Sequence, residues 1–318
     1  MKSLDSHFHH EKIIQKDENC AVLQLSFAEG NGTATVYPLF RGVELIAFDV
    51  HAPQYLPKIH KQQNILEINY CFSGRAECKM ADGCLQYIGQ GDTFLTTMRN
   101  HSDSIELPLG KYSGITLCID FDRLDNAYIQ TLLGETFQLK RMLSRFLESD
   151  QCFFVSAREA TIHFFADLSF VDQERLPAYY RLKALELMLL LENINPKAEK
   201  SAKAYTRNQV NIIKQVETYL TDNLKLRITI EELSQSFCIS ATSLKTLFKE
   251  VYGKPISIYM KEYRIQKSKD LLTEPDKTIS EVASLVGYHS QSKFGAVFRE
   301  MTGLSPNEYR NQKQQPNT

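Results

Sequence analysis

The chain has 318 residues and a mass of 36.5 kDa, too long for one small core, so its length implies about two domains. Apolar residues at 43%, charged residues at 24%, fourteen Gly and ten Pro describe an ordinary globular protein and exclude the disordered and fibrous classes. The seven cysteines are scattered without a CxxC pair, and no apolar run approaches the ~18 to 20 residues of a bilayer-spanning helix, so disulfide scaffold, zinc-finger spacing and membrane span all drop out. The start, MKSLDSHFHHEK, is too polar and acidic for a secretory signal, and a soluble cytoplasmic protein with no membrane partner is expected.

The net charge of −1 hides an asymmetry. Residues 1–206 hold 21 Lys and Arg against 26 Asp and Glu, whereas residues 207–318 hold 16 against 12. A basic C-terminal piece beside an acidic N-terminal one suggests an anionic partner for the former.

In chain order, residues 21–121 read as short strands: VLQLSF, ATVYPLF, VELIAFDV, ILEINYCF, ECKM, LQYI, TFLTT and GITLCIDF. Ala81-Asp82-Gly83 has the chemistry of a hairpin loop, and Gly89-Gln90-Gly91-Asp92 makes a second tight turn. Strands at such even spacing predict a sandwich or small barrel. After Phe121 the period becomes helical, weakly over 123–148, then over 156–170, and most strongly over 179–194. There Leu182, Leu185, Met188 and Leu189 form a face that Leu187, Leu190 and Leu191 widen, and it must be covered by its own β domain or by a second copy of the chain. The polar, Pro-containing residues 195–206 predict a linker, which sets domains at 1–194 and 207–318.

The last hundred residues contain an internal repeat. Thr229-Ile230-Glu231-Glu232-Leu233 recurs as Thr278-Ile279-Ser280-Glu281-Val282, and Ser240, Leu244, Phe248, Gly253 and Tyr259 recur as Ser290, Phe294, Phe298, Gly303 and Tyr309. Each copy opens on a capping box, Thr with Glu three residues on, and continues through a short turn to a second helix capped by Ser and closed by Gly. This predicts helix-turn-helix geometry twice, joined by one continuous helix over 257–272.

With Leu244, Leu247 and Phe248, or Phe294, Val297 and Phe298, turned inward, the helical period puts Thr242, Lys245, Thr246 and Lys249 outward in the first copy. In the second copy it puts Gln291, Ser292, Gly295, Ala296 and Arg299 outward. Such residues suit a DNA major groove: Gln pairs with adenine, Lys donates to guanine, Thr and Ala methyls meet the thymine methyl, and Lys249 or Arg299 reaches phosphate. Ser240 and Ser290 head these two helices and complete the expected DNA-binding set.

GYHSQSKFGAVFREMTGLSPNEYR, residues 287–310, resembles the signature of the arabinose-operon type of bacterial transcription regulators, down to Gly287, Ser290, Phe294, Phe298, Gly303, Pro306, Tyr309 and Arg310. ITIEELSQSFCISATSLKTLFKE and the helix after it resemble that family's first helix-turn-helix and linker helix. The resemblance covers about a third of the chain, and it carries the family's base contacts onto Thr242, Lys245, Thr246, Gln291, Ser292, Gly295 and Ala296. It departs from the family pattern at Cys238, where a turn Gly is common, and at Gly295 and Ala296, which lack donors.

The resemblance implies an α+β protein of two domains. The first is a cupin-like β-barrel with a helical dimerisation appendage, sensing a small effector, and the second is an all-α domain that binds promoter DNA. It also implies a homodimer that works with RNA polymerase, to activate or to repress, and is not an enzyme. His60, Glu67, Tyr70, Arg75 and Tyr87 are the candidate effector contacts, although strand alternation leaves open which face each one takes. His60 and Glu67 precede Gly74 without a His-x-His pair, so no metal and no cofactor are expected. The alternatives are a metal-dependent cupin enzyme tethered to DNA and an oligomerising scaffold.

Overall fold

The computed structural model describes residues 11–55, 64–79, 83, 85–97, 105–138, 141, 144–146, 153–155, 172–192, 205–274 and 276–314. His60, the Ala81-Asp82 turn, the expected helix over 156–170 and residues 195–204 of the expected linker lie outside them. The chain divides into two compact units, Met1–Arg207 and Asn208–Thr318.

The first unit is an antiparallel sheet with two described α-helices. Its strands are β1 (Lys12–Lys16), β2 (Ala21–Gln24), β3 (Asn31–Phe40), β4 (Val43–His51), β5 (Gln54–Tyr55), β6 (Ile65–Lys79), β7 (Leu85–Gly89), β8 (Thr93–Thr97), β9 (Ile105–Glu106), β10 (Tyr112–Asp120) and β11 (Phe153–Val155). The main path runs β1-β2-β3-β4-β10-β6-β8-β11 and stays open at both ends among the described residues. β6 joins into one element what the sequence pattern reads as two strands. Its first half pairs with β10 and β8, and its second half pairs with β7 and β9. Gly74 makes this bend possible, because φ is +90° there and the Lys111 carbonyl lies where a Cβ would stand.

Alternation along the strands builds two cores. Leu45, Leu66, Ile68, Tyr70, Leu117 and Ile119 face α1 (Asn126–Leu133) and α2 (Leu176–Glu192), whose Ile129, Tyr180, Ala184, Leu187, Met188 and Leu191 cover them. Val36, Ile46, Ile65, Cys71, Phe94 and Cys118 fill the opposite face. α2 therefore buries a different stripe from the one its sequence suggests. Met188 is buried as expected, but Leu182 and Leu189 are 65% and 42% exposed. A helix apolar on nearly every side carries little phase information, and contact with the sheet decides which side is covered.

The second unit is all helical: α3 (Arg207–Asp222), α4 (Ile230–Ser236), α5 (Ala241–Tyr252), α6 (Ile256–Thr273), α7 (Ile279–Leu285), α8 (Gln291–Thr302) and α9 (Pro306–Gln314). α3 buries Val210, Ile213, Val216 and Leu220 at helical spacing. Leu244, Leu247, Phe248 and Val251 of α5 are buried in the first half, while Ile265, Leu272, Val282, Ala283, Val286, Phe294 and Phe298 form one cluster in the second. α6 runs one residue beyond the expected helix at each end and is buried at Met260, Ile265, Ser268 and Leu272.

Candidate nucleic-acid interface

Two helix pairs of the same construction, α4 with α5 and α7 with α8, flank α6. Each first helix is capped reciprocally. The Thr229 N–H donates to the Glu232 carboxylate at 2.7 Å, and the Glu232 N–H donates to the Thr229 hydroxyl at 3.2 Å. Thr278 and Glu281 repeat the arrangement at 2.7 and 3.2 Å. The backbone hydrogen bond from each Thr, then its hydroxyl, holds Glu232 and Glu281 below the usual carboxylate range.

Each pair then turns through a left-handed residue, Cys238 at φ +51° in the first and Gly287 at φ +84° in the second. Ser240 accepts from the Ser243 N–H at 3.1 Å, and Ser290 accepts from the Lys293 N–H at 3.3 Å. Both serine oxygens thus accept as N-caps, and the Ser240 hydroxyl also pairs with the Ser243 hydroxyl at 2.9 Å. Gly253 and Gly303, both at φ +77°, donate back to Lys249 and Arg299 at 2.8 and 2.9 Å and end the two helices alike.

The faces opposite the cores are open. Thr242, Lys245, Thr246 and Lys249 on α5 are exposed, as are Gln291, Ser292, Ala296 and Arg299 on α8. Gly295 is half-buried, with open space where a Cβ would stand. Arg299 is already engaged: its Nη2 donates to the Glu308 carboxylate at 3.2 Å. The Ser305 hydroxyl and N–H, with Arg299, draw the Glu308 carboxyl down to about 2. Among the described residues Lys245 and Lys249 form no ion pair, so they are the freer cations of the two faces.

α6 ties the two pairs together. Arg264 donates to the Leu224 carbonyl at 3.0 Å and to the Gly287 carbonyl at 3.4 Å, joining the approach to α4 with the turn of the second pair. Lys261 bridges to Glu300 on α8 at 2.9 Å. Arg310 on α9 donates to the carbonyls of Leu272 and Lys277 at 3.1 and 2.7 Å and closes the end of α6 against α9. A helix-turn-helix domain family profile matches residues 233–312, from the middle of α4 into α9.

The chain carries the helix-turn-helix domain of the AraC-type transcription regulators.

This AraC-type domain is 33% identical over 94 residues to the probable transcriptional regulator LumQ of Photobacterium leiognathi, covering 30% of this chain and 38% of that protein. It is 34% identical over 95 residues to the transcriptional activator RhaR of Pectobacterium atrosepticum, covering 29% and 34%. A solved DNA-binding transcriptional dual regulator from Escherichia coli K-12 is 28% identical, covers 33% of this chain and 94% of that one, and has a TM-score of 0.31. The match thus spans little more than a third of the first two relatives' lengths.

Outside the AraC-type domain, the effector candidates do not converge. Glu67 points with Cys118 to the face opposite the helices, where burial, then Glu67 and Glu44, raise the Cys118 thiol. Tyr70 lies on the helix-packed face, its ring 5.2 Å from Phe72. Arg75 and Tyr87 sit together on the β6–β7 hairpin, with the guanidinium 5.4 Å from the Tyr87 ring centre and the Tyr87 hydroxyl donating to Glu77. That hairpin edge also receives Tyr205, whose backbone exchanges two 2.9 Å hydrogen bonds with Leu85. Sequence reasoning missed both Tyr205 and Arg264. Tyr205 sits in no motif, Arg264 is one residue of the expected helix over 257–272, and each finds its partners only where the chain folds back on itself. Among the described residues there is no group of three or more His, Cys, Asp or Glu placed to hold a metal ion, and no helix is long and apolar enough to cross a membrane.

Proposed function

We propose that the chain is a sequence-specific transcription regulator in which α5 and α8 enter successive major-groove segments of one duplex. One observation carries this reading: two identically capped helix pairs, locked to a shared helix, each leave the outer face of their second helix open. Lys245 and Thr246 on α5 and Gln291 and Ser292 on α8 read base edges. Thr242 and Ala296 add methyl contacts, Gly295 allows close approach, and Lys249 and Arg299 take phosphate, with Ser240 and Ser290 holding the helix starts.

The sheet of the first unit is the cupin-like part that senses a small effector. Its face with Glu67 and the β6–β7 hairpin group of Arg75 and Tyr87 are the two candidate contact regions. The protein works in the cytoplasm with RNA polymerase, and it dimerises through α2, whose exposed Leu182 and Leu189 lie one heptad apart. The relatives named above are transcription regulators, which favours this reading over the tethered metal-dependent enzyme.

The experiment is binding of the intact protein to a labelled duplex from its own upstream region, against scrambled competitor, across a salt series. Lys245→Ala and Gln291→Ala should each weaken specific binding by about 1 to 3 kcal/mol while leaving non-specific binding nearly unchanged. Specific affinity unaltered in both variants would reject the assigned faces.

A further inference from the structure

The second unit contains a cavity of about 910 Å³ whose apolar floor the readout of DNA by α5 and α8 does not explain. It lies along the exposed side of α5, walled by the loop before α4, the start of α6 and the turn residue Tyr288. Its floor is apolar, from Leu220, Ile228 and Ile230 to Met260, and Leu226 stands 53% exposed beside them. Its wall is cationic. Of the basic groups there, Lys261 is engaged by Glu300, and Arg264 spends its Nη atoms on backbone carbonyls. Arg227, Lys245 and Lys249 form no ion pair among the described residues, and Glu250 is the acidic group of the lining. Arg264 Nε, in the same wall, is buried with no hydrogen-bond partner.

Unpaired cations above an apolar floor suit a ligand with a charged head and an apolar body, and the volume is that of small-molecule sites. A phosphodiester supplies the charge but has nothing to cover the floor. We infer that this cavity binds a small amphipathic monoanion, an aryl or medium-chain carboxylate, whose head meets Arg227 and Lys249 and whose body lies against Leu226, Ile230 and Met260. The site is a property of the second unit alone and stands whether or not α5 and α8 read DNA.

The test is calorimetric titration of the full-length protein, free of DNA, with naphthoate, its uncharged alcohol naphthyl methanol, and inorganic phosphate. Naphthoate is expected to bind one to a chain, the alcohol roughly tenfold or more weakly, and phosphate not measurably. Leu226→Glu changes an exposed side chain and so spares the fold. It should weaken naphthoate roughly tenfold or more, Arg227→Gln should weaken it several-fold, and Gln291→Ala, outside the cavity, should leave it unchanged. Naphthoate affinity indifferent to both Leu226→Glu and Arg227→Gln would overturn the proposal. So would phosphate binding as tightly as naphthoate, which would make the cleft a seat for duplex backbone instead.

Discussion

Leu224 and Gly287 meet backbone to backbone: a Cβ on residue 287 would overlap the Leu224 carbonyl, and Arg264 binds the carbonyls of both residues. The approach to the first helix pair and the turn of the second are thereby pinned at one point. Gly287→Ala should cost about 1 to 2 kcal/mol from the left-handed backbone alone, and more because Leu224 must move. Gly303→Ala, at a similar φ of +77° but with open space around it, should show only the backbone cost. Urea denaturation of the two variants measures the difference, and equal losses would remove the role assigned to the contact.

Cys238 is the first pair's counterpart of Gly287 and holds φ +51° with a side chain attached. Cys238→Gly should leave stability level or raise it by up to ~1 kcal/mol, while Cys238→Val should lower it by more than 1 kcal/mol, because a β-branched residue tolerates this region least. Thermal melting orders the three proteins. Val equal to Cys would show that the turn is not strained.

Much of this domain is legible in the sequence because its devices are local. A Thr with a Glu three residues on, a Ser before a helix and a Gly after it each act within one turn of chain, so spacing alone reveals them twice. The phase of α2 is not legible, since Leu182, Leu189 and Leu191 are equivalent until the sheet covers one side. The effector candidates scatter for a similar reason. Glu67 and Tyr70 lie an odd number of residues apart on one strand and face opposite cores, and the partner change at Gly74 separates both from Arg75. The cavity beside α5 escapes notice because its lining comes from positions 220 to 288 and is joined only by the fold, whereas α3, with Val210, Ile213, Val216 and Leu220 at helical spacing, carries a local signal that the sequence reading passed over.

Acid should loosen the second unit through its caps. Glu232, Glu281 and Glu308 all have lowered carboxyl pKa values, so their contribution is complete above the unfolded value near 4.5 and is lost as pH falls through the folded values, about 2 for Glu308. Melting temperatures between pH 7 and pH 2 should therefore decline on the acid side, and Glu281→Gln with Glu308→Gln should flatten that decline. An unchanged slope in the double variant would dissociate the caps from acid stability.

Leu182 and Leu189 give α2 an exposed seam separate from the face it buries in the sheet. Leu182→Glu with Leu189→Glu should turn a dimer into a monomer in sedimentation velocity without lowering the melting temperature by more than about 1 kcal/mol equivalent. Dimers persisting in the double variant would place the interface elsewhere.

Lys245 and Thr246 line the cavity and also stand on the outer face of α5. Saturating naphthoate should accordingly weaken specific duplex binding, read by fluorescence anisotropy, and Leu226→Glu should abolish the antagonism. Undiminished duplex affinity at saturation would separate cavity from reading face.

Arg264 and Lys261 on α6 make the two helix pairs a ruler instead of two hands. Each inserted base pair shifts one contacted segment by about 3.4 Å and rotates it by roughly 35° about the duplex axis. A rigid α6 absorbs neither displacement. Operators for this protein should thus tolerate substitutions between their two contacted segments far better than a single insertion there, and the gap length, more than the sequence filling it, becomes the part of the site held fixed.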